Sequence, residues 1–171
     1  MKAKLAAAWM AGIVLAAGSA WAETRTWEGD DAAEWTSTSF DSAGPEDDPT
    51  AAGDTAAFGE GATTSTVTVD SSGGPVTVGA LSFSGADAYT LQKKGAADTL
   101  TLSGAGIEHT DEQNHLIGAD VLLDSDLTAT MNTEGYGIEI SGDVSGTGRS
   151  VTKDGAGALT LSGVNTYDGG T

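Results

Sequence analysis

The chain predicts an all-β fold, a solenoid of short stacked coils, and three observations carry that reading. Apolar residues recur two apart in short runs, turn residues punctuate the runs, and one hexapeptide returns along the chain. The runs are Val67/Val69, Val76/Val78, Leu81/Phe83, Tyr89/Leu91, Leu100/Leu102, Val121/Leu123, Ile138/Ile140 and Leu159/Leu161. Alternation with period two is the mark of a strand with one buried face. Between the runs lie Ser71-Ser72-Gly73-Gly74-Pro75, Ser84-Gly85-Ala86-Asp87, Ser103-Gly104-Ala105-Gly106 and Ser141-Gly142-Asp143, which supply turn chemistry. With 25 Gly, 3 Pro and no long helical periodicity after the first segment, the chain can make strands and tight turns.

The recurring hexapeptide separates a solenoid from an antiparallel sandwich. Ala80 to Gly85, Thr99 to Gly104 and Ala158 to Gly163 are variants of one sequence, and a sandwich gives no reason for it to return. Leu81, Leu100, Val121, Ile138 and Leu159 follow one another at a nearly constant interval of about 20 residues, the size of one coil. In such a stack the paired apolar residues form inward ladders and the alternating Ser and Thr face water.

Three segments follow. Residues 1–22 read as a cleaved signal peptide: Lys2 and Lys4 start it, an apolar stretch runs from Leu5 to about Ala17, and Ala20-Trp21-Ala22 forms a small-residue exit. The apolar stretch is shorter than the roughly 20 residues a membrane-spanning helix needs, and no later segment comes closer, so the mature chain is expected to have no membrane-spanning segment. Residues 23–65 read as an irregular N-terminal cap, with acids at Glu28, Asp30, Asp31 and Glu34 and a Gly44 to Pro49 turn region. Residues 66–171 form the coil region. The aromatics Trp27, Trp35, Phe40 and Phe58 are expected to seal the first coil rather than to stack on sugars.

Charge and cysteine content narrow the partners. The net charge is −18, and loss of Lys2 and Lys4 with the leader leaves 5 basic residues against 25 acidic ones. Such a surface repels nucleic acid and anionic membranes instead of releasing counterions to bind them. There is no cysteine, so an exported chain must rely on burial and backbone pairing, not disulfides.

The C-terminal residues add a family resemblance. Ile140 to Gly148, followed by Val151-Thr152-Lys153-Asp154-Gly155-Ala156-Gly157-Ala158-Leu159-Thr160-Leu161-Ser162-Gly163-Val164-Asn165-Thr166-Tyr167-Asp168-Gly169-Gly170-Thr171, closely resembles the passenger-associated repeat of bacterial autotransporters over residues 140–171. Val151 stands where that repeat usually has Leu, and Asp154 and Asp168 where it usually has Thr. The resemblance implies a right-handed parallel β-helix passenger, exported to the cell surface or medium through the outer membrane by a C-terminal β-barrel translocator. It also implies a repeat that assists folding and transport, in an adhesin with a host or matrix surface ligand. The sequence stops at Thr171 without barrel strands, so the chain is expected to be an N-terminal fragment.

Chemistry is sparse by comparison. His109 and His115 are the only histidines; no G-x-S-x-G elbow accompanies them, so a hydrolase is not expected. They could share a metal with Glu108, Asp111 or Glu112, but histidines in a polar stretch among acids are usually solvated. Asp124 and Asp126 flank Ser125 without a calcium-loop pattern, and Gly146-Thr147-Gly148 and Gly155-Ala156-Gly157 lack the continuation of phosphate loops. The expectation is therefore a non-enzymatic stalk with no catalytic, cofactor-binding or metal residue and no cofactor. The rivals are the N-terminal part of a secreted polysaccharide-active enzyme and a secreted repeat protein anchored in another way.

Overall fold

A computed structural model describes residues 24–26, 34–35, 53–59, 65–72 and 74–171, with side chains left aside at 25, 34, 35 and 105. The expected leader and most of the expected cap, Trp27 and Phe40 included, lie outside the described residues. Those described contain strands and no helix, and they build a parallel β-solenoid of about four turns. None of them forms a helix long and apolar enough to cross a membrane.

Each coil is three-sided. The first side holds the starts of β5 (Val76–Phe83) and β7 (Thr99–His109), then β9 (Asp120–Leu123) and β12 (Val144–Ser145). The second side holds β1 (Thr24–Thr26), β3 (Thr55–Phe58), the ends of β5 and β7, β10 (Leu127–Met131) and β13 (Val151–Asp154). The third holds β2 (Glu34–Trp35), β4 (Thr66–Val69), β6 (Thr90–Lys93), β8 (Asn114–Ile117), β11 (Gly137–Ile140) and β14 (Ala158–Leu161). Every pairing is parallel. The ladder already includes β1, β2 and β3, so coil structure reaches back into the 23–65 segment.

Backbone register shows which residues stack. On the third side Val67, Leu91, Ile117, Ile140 and Leu161 lie in one column, each coil contributing one of them. The column expected from the sequence is different. Leu81 sits on the second side, Leu100 and Val121 on the first, and Ile138 and Leu159 on the third. The three hexapeptides likewise occupy three different sides, because each encodes a strand followed by a corner and every corner of a coil makes similar demands.

β5 and β7 run through the corner between the first and second sides, and the bend is built on glycine. A Cβ on Gly79 would lie 2.5 Å from the Gly53 backbone, and one on Gly104 would lie 2.3 Å from the Gly79 carbonyl oxygen. Only glycine lets successive coils approach this closely. One coil further on, Ser125 occupies the corner, and its hydroxyl donates to the Gly104 carbonyl. There the long strand divides into β9 and β10.

The core is one continuous column of inward side chains. Seven of the eight apolar pairs read from the sequence are buried at both members, while Leu159 and Leu161 at the last coil are partly buried. Ala56, Phe58, Ile107, Ile117, Ala119, Leu127, Ala129, Met131, Val144 and Val151 complete the interior.

Candidate functional site

The chemistry of the molecule is concentrated where the second side turns into the third. On one side of that corner Phe58, Phe83, His109 and Met131 are successive ladder partners. On the other, His115, Ile138 and Leu159 stack in register, with Tyr89 above them. Rings occupy the upper part of both columns. Phe58 stacks on Phe83 at 4.9 Å between centroids, Phe83 on His115 at 4.5 Å, and Tyr89 leans on Phe58 at 5.2 Å. Ring pairs at these separations contribute beyond their buried area. Phe58, expected in the seal of the first coil, is fully buried in this plug. The Tyr89 hydroxyl donates to the Gly59 carbonyl at 2.6 Å, and burial, then Asp87 and Asp111, push its pKa up to about 12.

His109 and His115 belong to this interior, contrary to the expectation that they are solvated. Both are buried, at 0% and 2% exposure, because Ile107-x-His109 and His115-x-Ile117 each continue the period-two alternation of a strand. The segment between them forms an arch joining β7 to β8. Asp111, also buried, turns inward from that arch: one of its oxygens accepts the Gln113 amide at 3.1 Å. The same oxygen lies 3.0 Å from His115 Nε2 and 3.1 Å from His109 Nε2, and its other oxygen lies 3.2 Å from His115 Nε2. The carboxylate thus joins both rings.

The outer nitrogens fix where the protons are. The Tyr89 amide donates to His115 Nδ1 at 3.0 Å, so that nitrogen carries a lone pair and the ring proton sits on Nε2, directed at Asp111. His109 Nε2 lies 2.8 Å from the Gln113 carbonyl, which can only accept, so its proton is on Nε2 as well. His109 Nδ1 is buried without a partner. Burial holds the His115 pKa below its ordinary value, against the opposing pull of Asp111. Above the arch lies an open cleft of about 500 Å³, lined by Ser84 to Ala86 and Thr110 to Gln113. Glu108 and Glu112 are exposed and take no part in the arch.

Several other acids are engaged along the corners. Asp98 accepts the Ser71 amide and hydroxyl at 2.9 and 2.7 Å and the Gly95 amide at 2.7 Å. Asp120 accepts the Asp143 amide, Asp143 accepts the Val164 amide, and Asp126 accepts the Ser150 amide. Each of these last three bonds joins one coil to the next. Asp124 lies instead 4.0 Å from Arg149. The acidity read as a solvated surface is thus in part a set of carboxylate clamps between coils. Sequence spacing gives no sign of them, since each partner lies a full coil away along the chain.

The last coil carries the repeat. β13 and β14 continue the second and third sides on β10 and β11, and the Gly155-Ala156-Gly157 segment makes the corner between them. Gly155 has φ +80°, and a Cβ there would come within 2.2 Å of the Met131 carbonyl oxygen. Beyond β14 the chain runs on along the next side: the Thr166 amide donates to the Val144 carbonyl, the Gly169 amide to that of Arg149, and the Val151 amide to that of Gly170.

Comparison with curated proteins and with solved structures returns no match. Residues 151–171 match the passenger-associated-transport-repeat family, so the repeat recognised in the sequence is the coil just described. A parallel β-solenoid ending in that repeat fits a fragment of a bacterial autotransporter passenger, a type of protein exported with a C-terminal translocator as its partner.

Proposed function

We propose that the chain is a non-enzymatic stalk segment of an exported autotransporter passenger, and that its repeat assists folding during passage across the outer membrane. The observation that carries this reading is the way the last coil is held. β13 and β14 take their register from β10 and β11, and Asp126 and Asp143 add clamps to the Ser150 and Val164 amides. Each coil offers the next an ordered edge and preset acceptors, so a chain emerging stepwise can fold by docking coil on coil. Docking on the far side of the membrane opposes backsliding.

The non-enzymatic part of the reading is supported by where the polar groups go. Both histidines direct their Nε2 protons at acceptors inside the arch, and the clamp carboxylates are committed to backbone amides. The outward faces of the coils would then serve display, to a host or matrix surface.

Deleting Ser150 to Thr171 from the full-length protein should sharply lower its surface display while leaving its synthesis intact, measured by antibody labelling of whole cells. Unchanged display would sink the transport role. Cells carrying the passenger should adhere to host or matrix surfaces better than cells lacking it, and equal adhesion would remove the adhesin role.

A further inference from the structure

We propose that the arch of His109, Asp111 and His115 is a proton-operated latch, which holds the β7 to β8 connection against the aromatic plug while His115 is neutral and opens when His115 is protonated. The geometry makes protonation costly at His115. An imidazolium at His115 would place an N–H on Nδ1, 3.0 Å from the Tyr89 amide that now donates to it, turning a hydrogen bond into an opposition of donors.

The groups around His115 come from every packed element. Asp111 and His109 face it within the arch, Tyr89 from the segment before β6, and Phe83 from β5, while Ile138 is its ladder partner on β11. Of these only Asp111 favours the charged ring, and it is shared with His109. The aromatic faces exclude the water that would solvate a cation. Burial outweighs Asp111, so the ring titrates below its ordinary value of 6.5 in the closed arch and near that value once opened. The opened form therefore binds more protons, and the arch loses stability as pH falls below about 6.5.

The same three donors have the composition of a transition-metal site, all within 4.8 Å of one another. Their outer nitrogens are wrong for one. A metal-bound histidine donates its other N–H to an acceptor, whereas His115 Nδ1 receives an N–H and His109 Nδ1 faces no acceptor.

The test follows ring ¹⁵N signals and amide hydrogen exchange of the full chain from pH 7.5 to 5. His115 should carry its proton on Nε2 and titrate below 6.5. Protection of the Tyr89 amide, corrected for intrinsic exchange, should fall roughly tenfold per pH unit below 6.5 until the closed ring itself titrates. In His115→Asn, which keeps an acceptor near Nδ1 but cannot titrate, that protection should be flat with pH. Should this variant not fold, the ring signals of the unmodified chain still decide. Titration of His115 above 6.5, or Tyr89 protection independent of pH in the unmodified chain, would overturn the latch. So would Zn²⁺ binding that moves the His115 proton to Nδ1, which would identify a metal centre.

Discussion

The coils from Thr55 to Ile117 and the coil from Val151 to Thr171 share one backbone plan but are held by different forces. The upper coils enclose Phe58, Phe83, Tyr89 and His115 in mutual ring contact, with Leu91, Leu102 and Ile107 behind them. The last coil buries Val151, covers Leu159 and Leu161 only in part, and places Lys153 in the column that Leu81, Ile107 and Ala129 fill above. What keeps it in place is backbone pairing and carboxylate clamps. A coil of that kind takes its place from the coil before it.

The largest contrast should come from trimming one side chain in each region. Phe83→Ala removes the ring between Phe58 and His115 and should cost about 3–5 kcal/mol in urea unfolding, the usual loss for a fully buried aromatic. Leu161→Ala should cost less, about 1–2 kcal/mol, because that side chain is only partly buried. Equal losses would mean that the last coil has a core as firm as the first.

A backbone change should reverse the order locally. Gly155→Ala forces a residue with a Cβ to adopt φ +80° against the Met131 carbonyl, which should cost about 1–3 kcal/mol and fray the last coil selectively. Amide exchange should then quicken at Val151 and Leu159 and stay unchanged at Leu91 and Ile117. Uniform quickening would show that the stack opens as one unit.

The sequence made the elements legible and left their stacking obscure. Alternation in Val76/Val78 or Leu100/Leu102 is local chemistry, so it marks strands and inward faces correctly. Which strand lies above which depends on pairing across a full coil of intervening chain, and the hexapeptide misleads there because Ala80, Thr99 and Ala158 each open a strand on a different side. The histidines were hidden by their neighbours: Glu108, Thr110, Glu112 and Gln113 make the stretch look like a loop, although Ile107-x-His109 and His115-x-Ile117 already had strand periodicity. Asp98 and Asp111 were hidden for the opposite reason. Asp98 is bonded to Ser71 on another turn, and Asp111 is turned inward by an arch whose two histidines are buried, neither of which a local pattern encodes.

The clamps give the smallest and most specific prediction, because they separate carboxylate effects from those of the histidine arch by pH. Asp70 accepts the Ser72 amide at 2.9 Å and the Lys94 ammonium at 3.0 Å, and bonds from Ser72 and then Lys94 hold its pKa at about 2. Asp98 is held low by Ser71 and Gly95, and Asp126 by Ser150. Burial alone would raise Asp120, yet its bonds to Lys93 and the Asp143 amide outweigh that and keep it low too. A carboxyl whose folded pKa lies below its unfolded value stabilises fully above about pH 4, and that contribution is lost as pH falls toward 2. The Tm should therefore drop in a second stage below pH 4, distinct from any change near pH 6. Asp70→Asn should lower Tm slightly at pH 7, and the gap to the unmodified chain should narrow as pH falls toward 2, where the carboxyl too is losing its charge. A gap that persists undiminished at pH 2.5 would mean that Asp70 acts through shape and not through charge, and the clamps would then be packing groups that happen to be acidic.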